Sequence, residues 1–124
     1  MKVLLVDDTR TLLSLIQVYL MGWHLEFHEA KDGLEGLAKA KELKPSLVVT
    51  DVRMPGMDGF ELCAAIRADA ELHDLPVVLL TSLNDETSRK KGRLVGASAF
   101  LTKPVSVDEL RQTVGTLLKL PPRG

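Results

Sequence analysis

The chain has a single cysteine, Cys63, which excludes an intramolecular disulfide and a multi-cysteine metal centre. It has no excess of charge of one sign. Sixteen Lys and Arg face seventeen Asp and Glu, so the formal net charge is −1 and bulk attraction to nucleic acid or another polyanion is excluded. No apolar run approaches the roughly 18 residues that cross a bilayer. The opening Met1-Lys2-Val3-Leu4-Leu5-Val6 starts like a signal peptide, but Asp7 and Asp8 end it too soon to act as one. No repeat or low-complexity tract interrupts the chain. What remains is 124 residues with 45% apolar and 27% charged content, the composition of one ordinary globular domain with a cytoplasmic location as its default. The domain is expected over residues 1–120, with Pro121-Pro122-Arg123-Gly124 as a tail or the start of a linker.

Short Val- and Leu-rich runs recur at residues 3–6, 47–49, 77–80 and 99–101, each followed by a segment of helical periodicity. Runs that are uniformly apolar and too short for helices fit strands buried on both faces of a parallel sheet. Residues 24–29 differ, because Leu25 and Phe27 alternate with His24, Glu26 and His28, the pattern of a half-exposed edge strand. In the first helical segment Arg10, Ser14 and Gln17 form a polar stripe, and Leu12, Leu13, Leu15, Ile16 and Leu20 cover the rest. Asp32, Asp58 and Ser106 each stand three residues before a glutamate, as helix-capping oxygens do. Gly96 suits the position just past a helix, and Lys44-Pro45 closes another. The pattern is (βα)₅, an α/β fold in which right-handed crossovers place helices on both faces of the sheet.

Open sheets of this kind bind ligands beyond the carboxyl ends of their strands. Asp7 and Asp8 follow the first strand there, Asp51 follows the third, Thr81 ends the fourth, and the fifth runs into Lys103-Pro104. No glycine-rich loop follows the first strand, so nucleotide binding lacks its usual mechanism. Three converging carboxylates repel one another unless a cation joins them, and hard oxygen ligands favour Mg²⁺. Three carboxylates, one Mg²⁺ and one lysine ammonium sum to zero, so an arriving phosphoryl group would meet metal, ammonium and hydroxyl. Singly, each residue has a plain structural reading: Asp8 can cap the first helix, Asp51 can serve the Met54-Pro55-Gly56 turn, and Lys103 can be a solvated charge. Together, each at a strand end, they make one constellation.

The segments Val6-Asp7-Asp8, Thr50-Asp51-Val52-Arg53-Met54-Pro55-Gly56-Met57-Asp58-Gly59, Leu80-Thr81-Ser82 and Gly96 through Pro104 resemble, in identity and spacing, the receiver domains of two-component response regulators. The resemblance spans essentially the whole chain. It implies a flavodoxin-like doubly wound parallel sheet of order 2-1-3-4-5. It implies that Asp51 is the phosphoacceptor for a sensor histidine kinase or phosphotransfer protein. It further implies that Asp7, Asp8, Asp51 and the backbone carbonyl of Arg53 hold Mg²⁺, with Mn²⁺ as a substitute. Thr81 and Lys103 would contact phosphoryl oxygens, across a Lys103-Pro104 bond that this family commonly keeps cis. Phe100 stands at the family's switch aromatic, paired with Thr81.

The family reading makes the chain a signalling module and not an enzyme beyond its own phosphorylation and dephosphorylation. Its output face would be the fourth helix, fifth strand and fifth helix, presented to a downstream protein by a monomer or a phosphorylation-dependent dimer, with no direct contact to nucleic acid or membrane. Arg89-Lys90-Lys91-Gly92-Arg93 lies on that face, either as a solvated surface or as a docking surface. A competing reading is a pseudo-receiver, the same fold used as a phosphorylation-independent interaction module. A third is an aspartyl-phosphate phosphatase, disfavoured because such sites carry Asp-x-Asp after the first strand and this chain has Asp7-Asp8-Thr9. His24 and His28 on a strand would lie roughly 13 Å apart, too far for a metal pair. Cys63 and Trp23 read as packing residues.

Overall fold

The computed structural model describes residues 1–83 and 85–120; the tail expected at 121–124 lies outside the described residues. Five strands, β1 (Lys2–Val6), β2 (Glu26–Ala30), β3 (Leu47–Asp51), β4 (Val77–Thr81) and β5 (Ala99–Thr102), alternate with five helices. These are α1 (Arg10–Tyr19), α2 (Gly33–Leu43), α3 (Gly59–Ala68), α4 (Glu86–Leu94) and α5 (Val107–Leu118). The strands form one parallel sheet in the order β2-β1-β3-β4-β5. This is the flavodoxin-like topology.

The alternation of side chains along each strand divides the core into two layers. Val3, Leu5, Leu47, Val49, Val78 and Leu80 face α1 and α5, where they meet Leu13, Ile16, Leu110 and Val114. Leu4, Val6, Val48, Val77 and Leu79 face the other way, onto Ala40, Leu62, Cys63 and Ile66. Because both faces are covered, β1, β3 and β4 have no polar alternation for sequence periodicity to detect.

Local signals set the helix ends. Asp32, Asp58 and Ser106 accept the backbone N–H of Glu35, Glu61 and Glu109, and at Asp58 the glutamate returns the bond to form a full capping box. Lys44 and Gly96 take left-handed backbone just past α2 and α4, at φ 46° and 84°.

Three details differ from the sequence pattern. The edge strand begins at Glu26, not at His24: its ladder starts opposite Lys2, and the Leu25 N–H bonds back to the Trp23 carbonyl at 2.8 Å in a turn instead of pairing with β1. Leu15 and Val18 of α1 are exposed, since the helix carries more apolar positions than the sheet face can cover. The N-cap of α1 is Thr9, so Asp8 is not used as a helix cap. Trp23 and Cys63 are buried, as expected of packing residues.

Candidate functional site

The loops after β1 and β3 and the end of β5 converge at the carboxyl edge of the sheet. Asp51 is the last residue of β3 and Thr81 the last of β4, both within the strands and not beyond them. A methyl group at Gly59 would lie 2.3 Å from the Asp51 carbonyl oxygen. Only glycine lets α3 start this close to β3, which fixes the backbone on which Asp51 stands. Gly59 closes the Thr50–Gly59 segment that carries the family resemblance, but the sequence gives no reason for a glycine there beyond its position directly after a capping aspartate.

One oxygen from each of Asp7, Asp8 and Asp51 lies within 4.8 Å of the others. Asp7 and Asp51 are buried and Asp8 is exposed. Asp7 Oδ1 accepts the Thr9 N–H at 2.8 Å, whereas Asp7 Oδ2 is buried with no hydrogen-bond partner. Asp51 Oδ1 accepts the Val52 N–H at 2.7 Å. Lys103 Nζ is 3.3 Å from Asp51 Oδ2 and 3.9 Å from Asp7 Oδ2. The ammonium therefore pairs with Asp51 and only flanks Asp7.

Electrostatics follow from this geometry. Burial pushes the Asp7 carboxyl up from 3.8 to about 6; the Thr9 N–H opposes the rise, and the Asp51 charge adds to it. One lysine does not neutralise three carboxylates. An unpartnered buried oxygen facing two further carboxylates is an incomplete charge arrangement that a hard divalent cation would complete. The donor set fits Mg²⁺.

Thr81 is fully buried, and its hydroxyl oxygen accepts the Leu83 N–H at 3.1 Å. The hydroxyl proton remains available to donate toward the crevice. The Lys103 backbone N–H bonds to the Thr81 carbonyl at 2.8 Å, joining the ends of β4 and β5, and Lys103-Pro104 is cis. Arg53 is exposed in the loop after β3, two residues beyond Asp51. Phe100 is half-buried on β5, against the layer that contains Leu79, with Arg89 5.3 Å from its ring centre. All the residues singled out at the strand ends thus share one edge of the sheet, and Phe100 lies one strand layer behind Thr81.

Comparison with known proteins agrees with this arrangement. Residues 3–115 match the family described as the response regulator receiver domain. The chain belongs to this family. It is 34% identical over 118 residues to the DNA-binding dual master transcriptional regulator RpaA of Synechocystis, covering 95% of this chain and 49% of that protein. It is also 34% identical over 122 residues to protein PilH of Pseudomonas aeruginosa, covering 94% of this chain and 97% of that one. The chain therefore spans about half the length of some relatives and nearly all of others. Among solved structures, chemotaxis protein CheY4 of Vibrio cholerae superposes with a TM-score of 0.86 at 33% identity, covering 94% of this chain and 98% of CheY4. The protein is thus a receiver domain of two-component signalling, a signalling module with an acidic cluster able to hold a metal ion. Among the described residues no helix is long and apolar enough to cross a membrane.

Proposed function

We propose that this receiver takes a phosphoryl group onto Asp51 in a Mg²⁺-dependent reaction with a histidine kinase or phosphotransfer protein. The observation that carries the reading is the Lys103–Asp51 pair beside the buried, unpartnered oxygen of Asp7. A lysine ammonium 3.3 Å from one carboxylate, inside a cluster of three, marks that carboxylate as the one around which positive charge is organised.

Asp7, Asp8, Asp51 and the backbone carbonyl of Arg53 would hold the ion. When bound, Mg²⁺ supplies charge neutralisation for the carboxylates and for the incoming phosphoryl oxygens. The Asp51 carboxylate forms the new P–O bond as the bond from phosphorus to the donor's imidazole nitrogen breaks, and the nitrogen keeps that electron pair. The product is an aspartyl phosphate. Lys103 leaves its pairing with the Asp51 carboxylate to pair with a phosphoryl oxygen, and Thr81 donates its hydroxyl proton to another. Little covalent chemistry falls to the protein, so positioning and charge neutralisation account for the rate.

Movement of Thr81 toward the phosphoryl group alters the space in front of Phe100, and the ring follows inward. This shifts the population between two packings of α4, β5 and α5 and changes the face offered to a downstream protein. Incubation with acetyl phosphate tests the reading against a phosphorylation-independent interaction module. A Mg²⁺-dependent gain of one phosphoryl group in the intact mass is expected, and an unchanged mass with and without Mg²⁺ would favour the module.

A further inference from the structure

β2 is an edge strand, paired with β1 on one side only. The Glu26 N–H bonds to the Met1 carbonyl at 2.8 Å, and the Ala30 carbonyl accepts the Asp7 N–H at 3.0 Å. Backbone groups alternate along a strand, so Glu26, His28 and Ala30 turn their N–H and C=O groups toward β1. Phe27 and Glu29 turn theirs to the open edge. The Leu25 carbonyl points there too, because it lies opposite the Glu26 N–H across one planar peptide. Two groups along this side already have partners: the Leu25 N–H bonds to the Trp23 carbonyl at 2.8 Å, and the Glu29 carbonyl accepts Lys39 Nζ. Among the described residues, the groups left for an incoming strand are the Phe27 N–H and carbonyl, the Glu29 N–H and the Leu25 carbonyl.

These groups match themselves. In an antiparallel pair, facing residues alternate between those that exchange two hydrogen bonds and those that exchange none. A second copy of β2 laid antiparallel about a two-fold axis at Phe27 sets Phe27 opposite Phe27, for two bonds. It sets each Glu29 N–H opposite the Leu25 carbonyl of the other copy, for two more. The bonds that this register forgoes would join the Leu25 N–H to the Glu29 carbonyl, the two groups already satisfied within the chain. Side chains agree, because the same register sets Glu26 of each copy opposite His28 of the other. Neighbouring centres do worse: Glu26 or Glu29 would oppose two carboxylates, and His28 two imidazoles.

The α1 side of this edge is apolar. Val18 and Met21 are 57% and 68% exposed, beside a groove of about 430 Å³ that Leu20, Trp23, Leu25 and Phe27 help to line. Gln17 Nε2 donates to Glu29 Oε2 at 2.6 Å, which holds α1 over β2. A helix about 10 Å across covers about two strands, so a two-fold axis at Phe27 brings two α1 helices side by side. Val18 and Met21 of each then stand at the groove of the other.

We propose that two copies of this chain pair through β2 and α1, joining two five-stranded sheets into one. The occupant of the edge is a second copy because the free backbone groups and the charge order of Glu26 and His28 are both self-complementary. The pairing involves neither Asp51 nor β5 at the opposite edge, so it needs no phosphoryl group.

Sedimentation equilibrium of the full chain over a range of concentrations tests this. Wild type should move from monomer to dimer mass as concentration rises. Glu26→Lys sets lysine against His28, and His28→Glu sets carboxylate against carboxylate. Each variant alone, shown by circular dichroism to be folded, should associate roughly tenfold more weakly, since two cross-strand pairs per dimer lose their attraction. An equal mixture of the two should recover wild-type association, because lysine then faces glutamate and His28 faces Glu26. Val18→Glu should weaken association through α1 in the same way. Amide hydrogen exchange reads the register: Phe27 and Glu29 should gain protection with concentration, and Leu25 should not. A chain monomeric at every concentration would overturn the proposal. So would a dimer that both charge variants form as readily as wild type, or a mixture that fails to recover it.

Discussion

Gly92 and Phe100 share one space: a methyl group on Gly92 would lie 2.9 Å from Phe100 Cδ2 and 3.6 Å from Leu79 Cδ1. The glycine is buried in the last turn of α4, where it costs up to about 1 kcal/mol of helix stability relative to alanine. It lets the Phe100 ring lie against the helix with no side chain between them. Phe100 has no hydroxyl, so any response it makes to the site must come through packing of this kind.

Gly92→Ala is therefore expected to push the Phe100 ring away from α4 despite the gain in helix propensity. Overpacking costs typically 1–3 kcal/mol, which leaves a net loss of about 1 kcal/mol by urea unfolding. The same variant should blunt the long-range response to beryllofluoride, a phosphoryl mimic. In wild type, amide shifts should reach α4 and β5, whereas in Gly92→Ala they should stay near Asp51. Shifts confined to Asp51 in wild type would mean that Phe100 does not switch.

Asp7 gives the metal-free protein a definite pH dependence. Its carboxyl is raised from 3.8 to about 6, so between those values the folded chain holds a proton that the unfolded chain has lost. Its stabilising contribution is complete below about 3.8 and is lost as the pH rises through about 6. The rise corresponds to at most about 3 kcal/mol. Asp7→Asn keeps an oxygen for the Thr9 N–H, so it should flatten this slope and raise the melting temperature of the metal-free protein at neutral pH. Mg²⁺ must displace that proton, so the increase in melting temperature it gives wild type should be larger near about pH 7.5 than near about pH 5.5. The Asp7→Asn chain should respond less to Mg²⁺ at both.

Arg67 binds α3 to the far end of the sheet. Its Nε donates to the Gly96 carbonyl at 2.9 Å, and Nη1 donates to the carbonyls of Leu75 at 2.6 Å and His73 at 3.2 Å. Nη2 reaches Ser98 Oγ at 3.3 Å. Arg67→Met keeps much of the aliphatic stem but leaves these carbonyls without a charged donor, at about 1.5–3 kcal/mol for hydrogen bonds of this kind. Chemical denaturation should show that loss, while labelling by acetyl phosphate persists because none of these contacts touches the acidic cluster.

How far the sequence reaches is clear from individual residues. Val3 to Val6 and Val77 to Leu80 are apolar at every position because both faces of their strands are covered, and that uniformity is legible without coordinates. Asp7, Asp8, Asp51, Thr81 and Lys103 were legible because a parallel sheet brings its strand ends to one edge. The start of the edge strand was not legible, since it depends on the turn that bonds Leu25 back to Trp23 and not on the alternation of His24 to Glu29. Arg67 gives no local signal either, because its partners at Leu75, Gly96 and Ser98 follow from tertiary placement alone.

The central claim is that Asp51 takes the phosphoryl group, and peptide mapping of the chain after incubation with acetyl phosphate and Mg²⁺ tests it most directly. Wild type should carry one phosphoryl group, located on Asp51, and removal of Mg²⁺ should suppress it. Asp51→Ala, shown by circular dichroism to be folded, should carry none. An Asp51→Ala protein phosphorylated to the wild-type stoichiometry would contradict the account.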